Sequence, residues 1–232
     1  MASLKSAIRG RLLKLLDAEP ILSYDDNLGS EIVDGWGHRD YVGGLWEGIG
    51  SLQFKFMVER GLEPHHVLVD IACGSLRGGV RFVPYLDRGN YLGIDINERL
   101  LDAGIRIELG AALRQLKSPE FVISESFEFE RFSKRPDFAL AQSLFTHLTE
   151  NDIIRCLRKL KVSARDNTKF YATFFETDHA CINPQQSHPH GDFLYTKTQM
   201  MEFGAKAGWS VRYLGDWNHP RGQKMMEYSV AR

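Results

Sequence analysis

Cysteine is scarce here: Cys73, Cys156 and Cys181 are the three in 232 residues. Their odd number and wide spacing fit neither a disulfide framework nor a metal knuckle, and a reducing cytoplasm is the simplest compartment. Long apolar runs are missing as well. None approaches the ~18 residues of a membrane span, and the first residues hold no signal-peptide core. An excess of one charge is also lacking: 29 Lys plus Arg face 30 Asp plus Glu, a formal net charge of −1. That balance gives no whole-protein reason to expect nucleic acid as a partner. Repeats and low-complexity tracts are absent. The remainder, 43% hydrophobic and 25% charged, is ordinary for a globular protein of one domain, or one domain with an appendage.

The stretch from Val67 to Asp95 organises what is there. Val67-Leu68-Val69 is a short apolar run suited to a strand buried on both faces, and it ends on Asp70. A small-residue turn, Ala72-Cys73-Gly74-Ser75, follows; there backbone can approach a ligand closely. Pro84 predicts that the next helix is short or stops near Val83. A second apolar run, Tyr91-Leu92-Gly93-Ile94, ends on Asp95. Strand, glycine turn, helix, strand, acid is the layout of a nucleotide-binding βαβ unit, with the second acid placed for ribose hydroxyls. A dinucleotide fingerprint needs G-x-G-x-x-G. Here Ala72 replaces the first glycine and the third, Gly78, comes one residue late. Asp70 is also a poor neighbour for a pyrophosphate and a good one for a cationic ligand.

These residues resemble a family. Asp70-Ile71-Ala72-Cys73-Gly74-Ser75 is similar to motif I of class I S-adenosylmethionine-dependent methyltransferases, and Gly93-Ile94-Asp95 to their acidic second-strand motif. Phe138 to Leu148 looks like their fourth strand and its loop. The run Cys73 to Gly79, CGSLRGG, together with His219-Pro220-Arg221-Gly222-Gln223-Lys224-Met225, resembles a bacterial branch of that family. The resemblance spans roughly residues 62 to 232, and for the branch also Trp36 to Gly61. It implies an α/β, Rossmann-like, doubly wound and mostly parallel seven-stranded sheet with an antiparallel last strand and an N-terminal helical lid. On that division, residues 1–61 are helices and lid, and residues 62–232 are the cofactor-binding domain. The implied cofactor is S-adenosyl-L-methionine. Gly74 and its neighbours Ala72, Cys73 and Ser75 would hold its carboxylate, Asp70 its amine, and Asp95 with Ile96 its ribose. Glu125, Ser126 and Phe127, after the third strand, are candidates for the adenine, with core packing as the other reading of Phe127. Gln142 and Ser143 close the fourth strand, at the edge where open α/β sheets bind ligands.

Elsewhere the chain is read from its own pattern. Leu4, Ile8, Leu12 and Leu15 space an amphipathic helix over Met1 to Asp17, for a membrane surface, a second subunit or the chain's own domain. Trp36, His38, Arg39 and Tyr41 crowd a glycine-rich segment. They are candidates to line a polar substrate pocket, or to pin a loop. The spacing predicts further helices over Leu45 to Gly61, Glu98 to Leu116, the segment after Thr149, and Thr198 to Gly208. It predicts strands at Phe121 to Ser124, Phe138 to Ala141, Lys169 to Phe175, Trp209 to Leu214 and Met225 to Val230. The loop from Glu176 to Thr196 leaves the binding edge and is the candidate substrate loop. Its histidines, including His179, His188 and His190, match no metal-ligand spacing. Methyl transfer to a hydroxyl needs a base, and a neutral histidine suits it. His179 is first choice, His147 second, with a ring that only ties its loop to backbone as the other reading of His147, and His190 is the reserve and also a substrate-binding candidate.

The expected activity is therefore methyl transfer to a small polar acceptor, hydroxylated and sugar-like, through oxygen. The rival readings are an NAD(P)-dependent oxidoreductase and a non-catalytic cofactor-binding module. Expected partners are a small-molecule acceptor and, as an open option, a second copy of the chain in a homo-oligomer.

Overall fold

The computed structural model describes residues 37–230. The amphipathic helix expected over Met1 to Asp17, and Trp36, lie outside the described residues.

Among the described residues, nine segments of helix and eight strands follow one another. A single turn, α1 (His38–Tyr41), precedes α2 (Trp46–Glu59). Gly61, at φ 94°, sits just past α2, where only glycine adopts the left-handed conformation without strain. The βαβ unit follows: β1 (Leu68–Ile71), α3 (Gly79–Tyr85) and β2 (Tyr91–Asp95). Every residue of both strands is buried, the pattern of central parallel strands. Pro84 does not stop α3 but falls within its last turn.

The helix expected from Glu98 to Leu116 is broken. It divides into α4 (Glu98–Ala103), a π-helical turn (Gly104–Leu109) and α5 (Ala111–Lys117). Gly104 packs against the glycine turn, where a Cβ would stand 2.5 Å from the Ser75 carbonyl oxygen. Gly110, at φ 75°, then redirects the chain. Next come β3 (Glu120–Ile123), a 3₁₀ turn (Phe129–Arg131) and β4 (Phe138–Ala141). Thr149 caps α6 (Glu150–Ser163), its hydroxyl accepting from the Asp152 N–H. The last elements are β5 (Lys169–Glu176), β6 (Leu194–Tyr195), α7 (Lys197–Lys206), β7 (Trp209–Asp216) and β8 (Lys224–Val230).

The sheet order is β3-β2-β1-β4-β5-β8-β7. The first five strands are parallel, and β8 runs antiparallel to both β5 and β7. These are the seven strands expected. An eighth, β6, pairs with the end of β5 through Phe175 and Leu194. Helices cover both faces. Ile153, Leu157 and Phe203 from α6 and α7 meet one face. Phe56 and Met57 from α2 and Phe82 from α3 meet the other. The order reverses between β1 and β4, so the loops after their carboxyl ends part there and leave a crevice.

Candidate functional site

The turn after β1 is shaped by alternating left-handed residues: Ala72 at φ 58°, Gly74 at 55° and Leu76 at 68°. Two of these are not glycine, a backbone arrangement that costs free energy and that gathers at ligand sites. The turn aims the Gly74 N–H at Asp95, 2.7 Å from Oδ2. The other Asp95 oxygen accepts from the Asn97 N–H at 2.8 Å. Tyr91 donates its hydroxyl to Asp70 Oδ2 at 2.7 Å. Both acids are buried. Burial pushes the Asp70 carboxyl up to about 7, against the pull of the Tyr91 bond and of Arg77. Burial also raises Asp95, opposed by the backbone N–H groups it accepts.

A cavity of about 1010 Å³ opens beside this turn, at the top of the ~300–1,000 Å³ range of ligand pockets. At one end it meets Asp70, Ala72, Cys73, Gly74, Asp95 and Ile96. Further along it meets Gln142, Ser143, His147 and His190, with Tyr41 of α1 facing His190 edge-on at 5.7 Å. His147 Nδ1 donates to the Gly191 carbonyl at 2.6 Å. That bond leaves Nε2 as the lone-pair nitrogen. Burial lowers the His147 pKa below its ordinary 6.5, so the ring is neutral at pH 7. His188 N–H donates to the His147 carbonyl and Phe193 N–H to that of Thr146, which ties the Glu176 to Thr196 loop across the cavity.

Other expected site residues lie elsewhere. Ser75 is fully buried outside the cavity lining, its hydroxyl directed at the His38 carbonyl at 3.3 Å. Ser126 does not line the cavity, and Phe127 stacks on Phe129 at 6.3 Å against the core. Of the three candidates in the loop after β3, Glu125 is the one that lines the cavity. His38 and Arg39 also face away. Both converge on Glu108 of the π turn, His38 Nε2 at 2.6 Å and Arg39 through Nε at 2.6 Å and Nη2 at 2.7 Å. Arg39 also covers the Trp46 ring at 4.9 Å. This is a strut that fixes α1 over the βαβ unit, not a pocket wall. His179 is exposed and outside the cavity. β5 extends to Glu176, and Thr177 then bonds the Tyr195 and His179 carbonyls, carrying the chain out to solvent before His179.

A polar network at the crevice had no local sign in the sequence. Gln142 Oε1 accepts from Gln53 Nε2 at 2.7 Å and from Arg77 Nη2 at 2.6 Å. Gln142 and Gln223 both donate to Ser143 Oγ at 2.6 Å. Thr173 joins them, donating its hydroxyl to Gln223 and accepting from the Ser143 N–H, each at 2.7 Å. Trp217 stacks on His219 at 5.3 Å. Burial, with Arg77 and Arg221 nearby, lowers His219 to about 4, so it is neutral. Arg77, Gln142 and Gln223 belong to three segments that meet only in the fold.

Comparison with protein families finds no match for the chain. Solved structures do match. Magnesium protoporphyrin IX methyltransferase from Synechocystis PCC 6803, with bound S-adenosylmethionine, aligns at TM-score 0.63 and 13% identity over 92% of this chain and 100% of that one. The glycopeptide N-methyltransferase MtfA, complexed with the same cofactor, aligns at 0.60 and 12% over 78% and 94%. CalO1, a methyltransferase in calicheamicin biosynthesis, aligns at 0.61 and 11% over 87% and 60%. At these identities the likeness speaks for the fold. The chain has the Rossmann-like fold of S-adenosylmethionine-dependent methyltransferases.

Proposed function

We propose that the chain is an S-adenosylmethionine-dependent methyltransferase acting through oxygen on a small polar acceptor. One observation carries the reading: a single cavity joins an acid-flanked glycine turn at the carboxyl edge of a parallel sheet to a neutral, oriented histidine. The structural neighbours crystallised with the cofactor or its product support the class, and the CGSLRGG run supports the bacterial branch. The donor set suits the cofactor. Asp70 is an acid whose pKa is raised by burial, a penalty on its charged form that a bound ammonium relieves. Asp95 retains acceptor lone pairs for ribose hydroxyls while its backbone partners fix its orientation.

S-adenosyl-L-methionine, when bound, supplies a sulfonium methyl group for in-line displacement by the acceptor oxygen. The protein's part is mostly positioning and exclusion of water. Asp70 orients the amine, the Gly74 turn approaches the methionine carboxylate and Asp95 holds the ribose. His147 Nε2 takes the proton of the acceptor hydroxyl, its tautomer set by the Gly191 carbonyl. The segment from Gly37 to Gly61 works as the lid, braced by Glu108 on one side and reaching the cavity through Tyr41, Val42 and Gly43. The test is transfer of labelled methyl from S-adenosylmethionine into a metabolite extract, alongside thermal shift with S-adenosylhomocysteine. Stabilisation by a nicotinamide dinucleotide and not by S-adenosylhomocysteine would overturn the reading.

A further inference from the structure

The acceptor end of the cavity carries two guanidiniums that no acid pairs with directly; Asp70 reaches Arg77 only through its field. Arg77 is 8% exposed and contributes to the cavity wall, as does Arg221. Neither makes an ion pair among the described residues, whereas the half-buried Arg81 pairs with Glu47; Arg77 is buried and Arg221 is exposed at the rim. Their partners are neutral. Arg77 Nη1 donates to the Val42 carbonyl at 2.9 Å and the Gly44 carbonyl at 3.1 Å, and Arg221 Nη2 donates to the Gly43 carbonyl between them. Arg77 Nη2 goes to the Gln142 amide, and its Nε is buried with no partner at all. Three consecutive carbonyls of one turn thus hold two cations close enough to repel, which together with burial lowers Arg77 to about 10.

A carbonyl dipole compensates only part of a buried charge. The acids that line the cavity are placed elsewhere. Asp70 and Asp95 serve the glycine turn, Glu125 follows β3, and Asp192 sits on the histidine loop with His188 and His190. His219, between the two arginines and neutral, adds no charge of either sign.

We infer that Arg221, backed by Arg77, is an anion-binding subsite that selects an acceptor bearing a carboxylate or phosphate group. This rests on the methyltransferase reading and narrows its acceptor class. The guanidinium fork suits two oxygens of one planar or tetrahedral anion. Only Nη2 of Arg221 is engaged, by the Gly43 carbonyl, so the other N–H groups of the guanidinium are left to take the anion while the Val42 to Gly44 turn stays seated. Arg77, buried in the network, stays in place and supplies fixed field. The methyl-accepting oxygen is then a different atom of the same molecule, held toward His147.

The test is calorimetric, on the full chain saturated with S-adenosylhomocysteine, in a buffer free of phosphate. Benzoate and phenyl phosphate are titrated against benzamide and benzyl alcohol, neutral probes of the same ring. The anions are expected to bind at least tenfold more tightly than the neutral probes. Arg221→Met is expected to abolish that preference while S-adenosylhomocysteine binds as before. Arg221→Lys, which keeps the charge and loses the fork, is expected to fall between. Equal binding of benzoate and benzamide, or benzoate binding undiminished in Arg221→Met, overturns the subsite. Failure of S-adenosylhomocysteine to bind the wild-type chain would instead overturn the methyltransferase reading. Fractionating the labelled extract on an anion exchanger gives an independent arm: the methyl acceptor is expected in the retained fraction, and an acceptor in the neutral flow-through overturns the inference.

Discussion

Asp70 makes cofactor binding pH-dependent in a direction that can be worked out. With a carboxyl near 7 in the cofactor-free protein, roughly 3% of molecules carry the ionised acid at pH 5.5 and roughly 76% at pH 7.5. An ammonium is stabilised by the ionised form only. If Asp70 must lose its proton for the methionine amine to be held, affinity for S-adenosylhomocysteine should rise about 25-fold across that interval, about 1.9 kcal/mol. At the upper end of that range part of the amine is itself deprotonated, since a model α-amino group is half-titrated at ~7.7–8.0, and the measured rise should fall somewhat short of the full figure. Isothermal titration in buffers of different ionisation heat measures both the affinity and the proton released. Asp70→Asn should bind weakly and flatten the profile, and Tyr91 can still donate to the amide oxygen, so the fold survives. The sign for stability is opposite. A folded pKa raised above the unfolded value contributes stability that is complete below about 4 and is lost as pH rises through about 7. The cofactor-free protein should therefore be less stable at pH 8 than Asp70→Asn. A flat affinity profile for the wild type, or a profile of unchanged steepness in Asp70→Asn, refutes the assignment of the amine to Asp70.

Further outcomes follow from the same geometry. Asp95→Ala removes the acceptor for the Gly74 and Asn97 N–H groups as well as for ribose, so cofactor affinity should fall by ~1.5–3 kcal/mol, read by titration; unchanged affinity would place the ribose elsewhere. Gly74→Val forces a branched residue to φ 55° and sets its Cβ 3.0 Å from Val42 Cγ1, and it should abolish binding where Ala72→Gly does not. Glu108→Gln cuts the strut to Arg39 and His38. Because Arg39 is half exposed, the loss of stability should be small, with faster hydrogen exchange across α1. The strut's own contribution fades as pH falls below the ordinary carboxylate range, since its bonds to Arg39 and His38 hold Glu108 low. His147→Gln should lower kcat by ~10²–10⁴ with cofactor affinity little changed; full activity would dismiss His147 as the base, whereas His179→Gln, at an exposed position outside the cavity, should be neutral.

How much of this was legible in the chain depends on how far apart the cooperating residues lie. β1, the glycine turn and β2 are contiguous, and each is announced by its own residues: an all-buried strand reads as an apolar run, and an acid ends it. The cap at Thr149 is equally local. The break at Gly104 is not, because its cause is the Ser75 carbonyl of a different loop. A histidine separated from a predicted strand by only Glu176, Thr177 and Asp178 looked placed for catalysis, but β5 runs on to Glu176 and pairs with β6, so the same spacing delivers His179 to solvent. His38 and Arg39 read as pocket residues for want of a visible partner, and that partner, Glu108, stands about seventy positions away. The network of Arg77, Gln142 and Gln223 is the extreme case. Its members come from three segments, and glutamine and arginine at isolated positions carry no period and no spacing. Arg77 and Arg221 do fall inside the two runs that resemble a family branch, so resemblance marked them before geometry did. Only the fold reveals that their shared partners are the carbonyls of Val42, Gly43 and Gly44. That is the physical reason why the cofactor end of the cavity, built from one continuous βαβ unit, could be read ahead of the structure, while the acceptor end, assembled from the lid, the β4 edge and the β7–β8 loop, was legible only in single residues such as Tyr41, Gln142 and His147 and not in the contacts that join them.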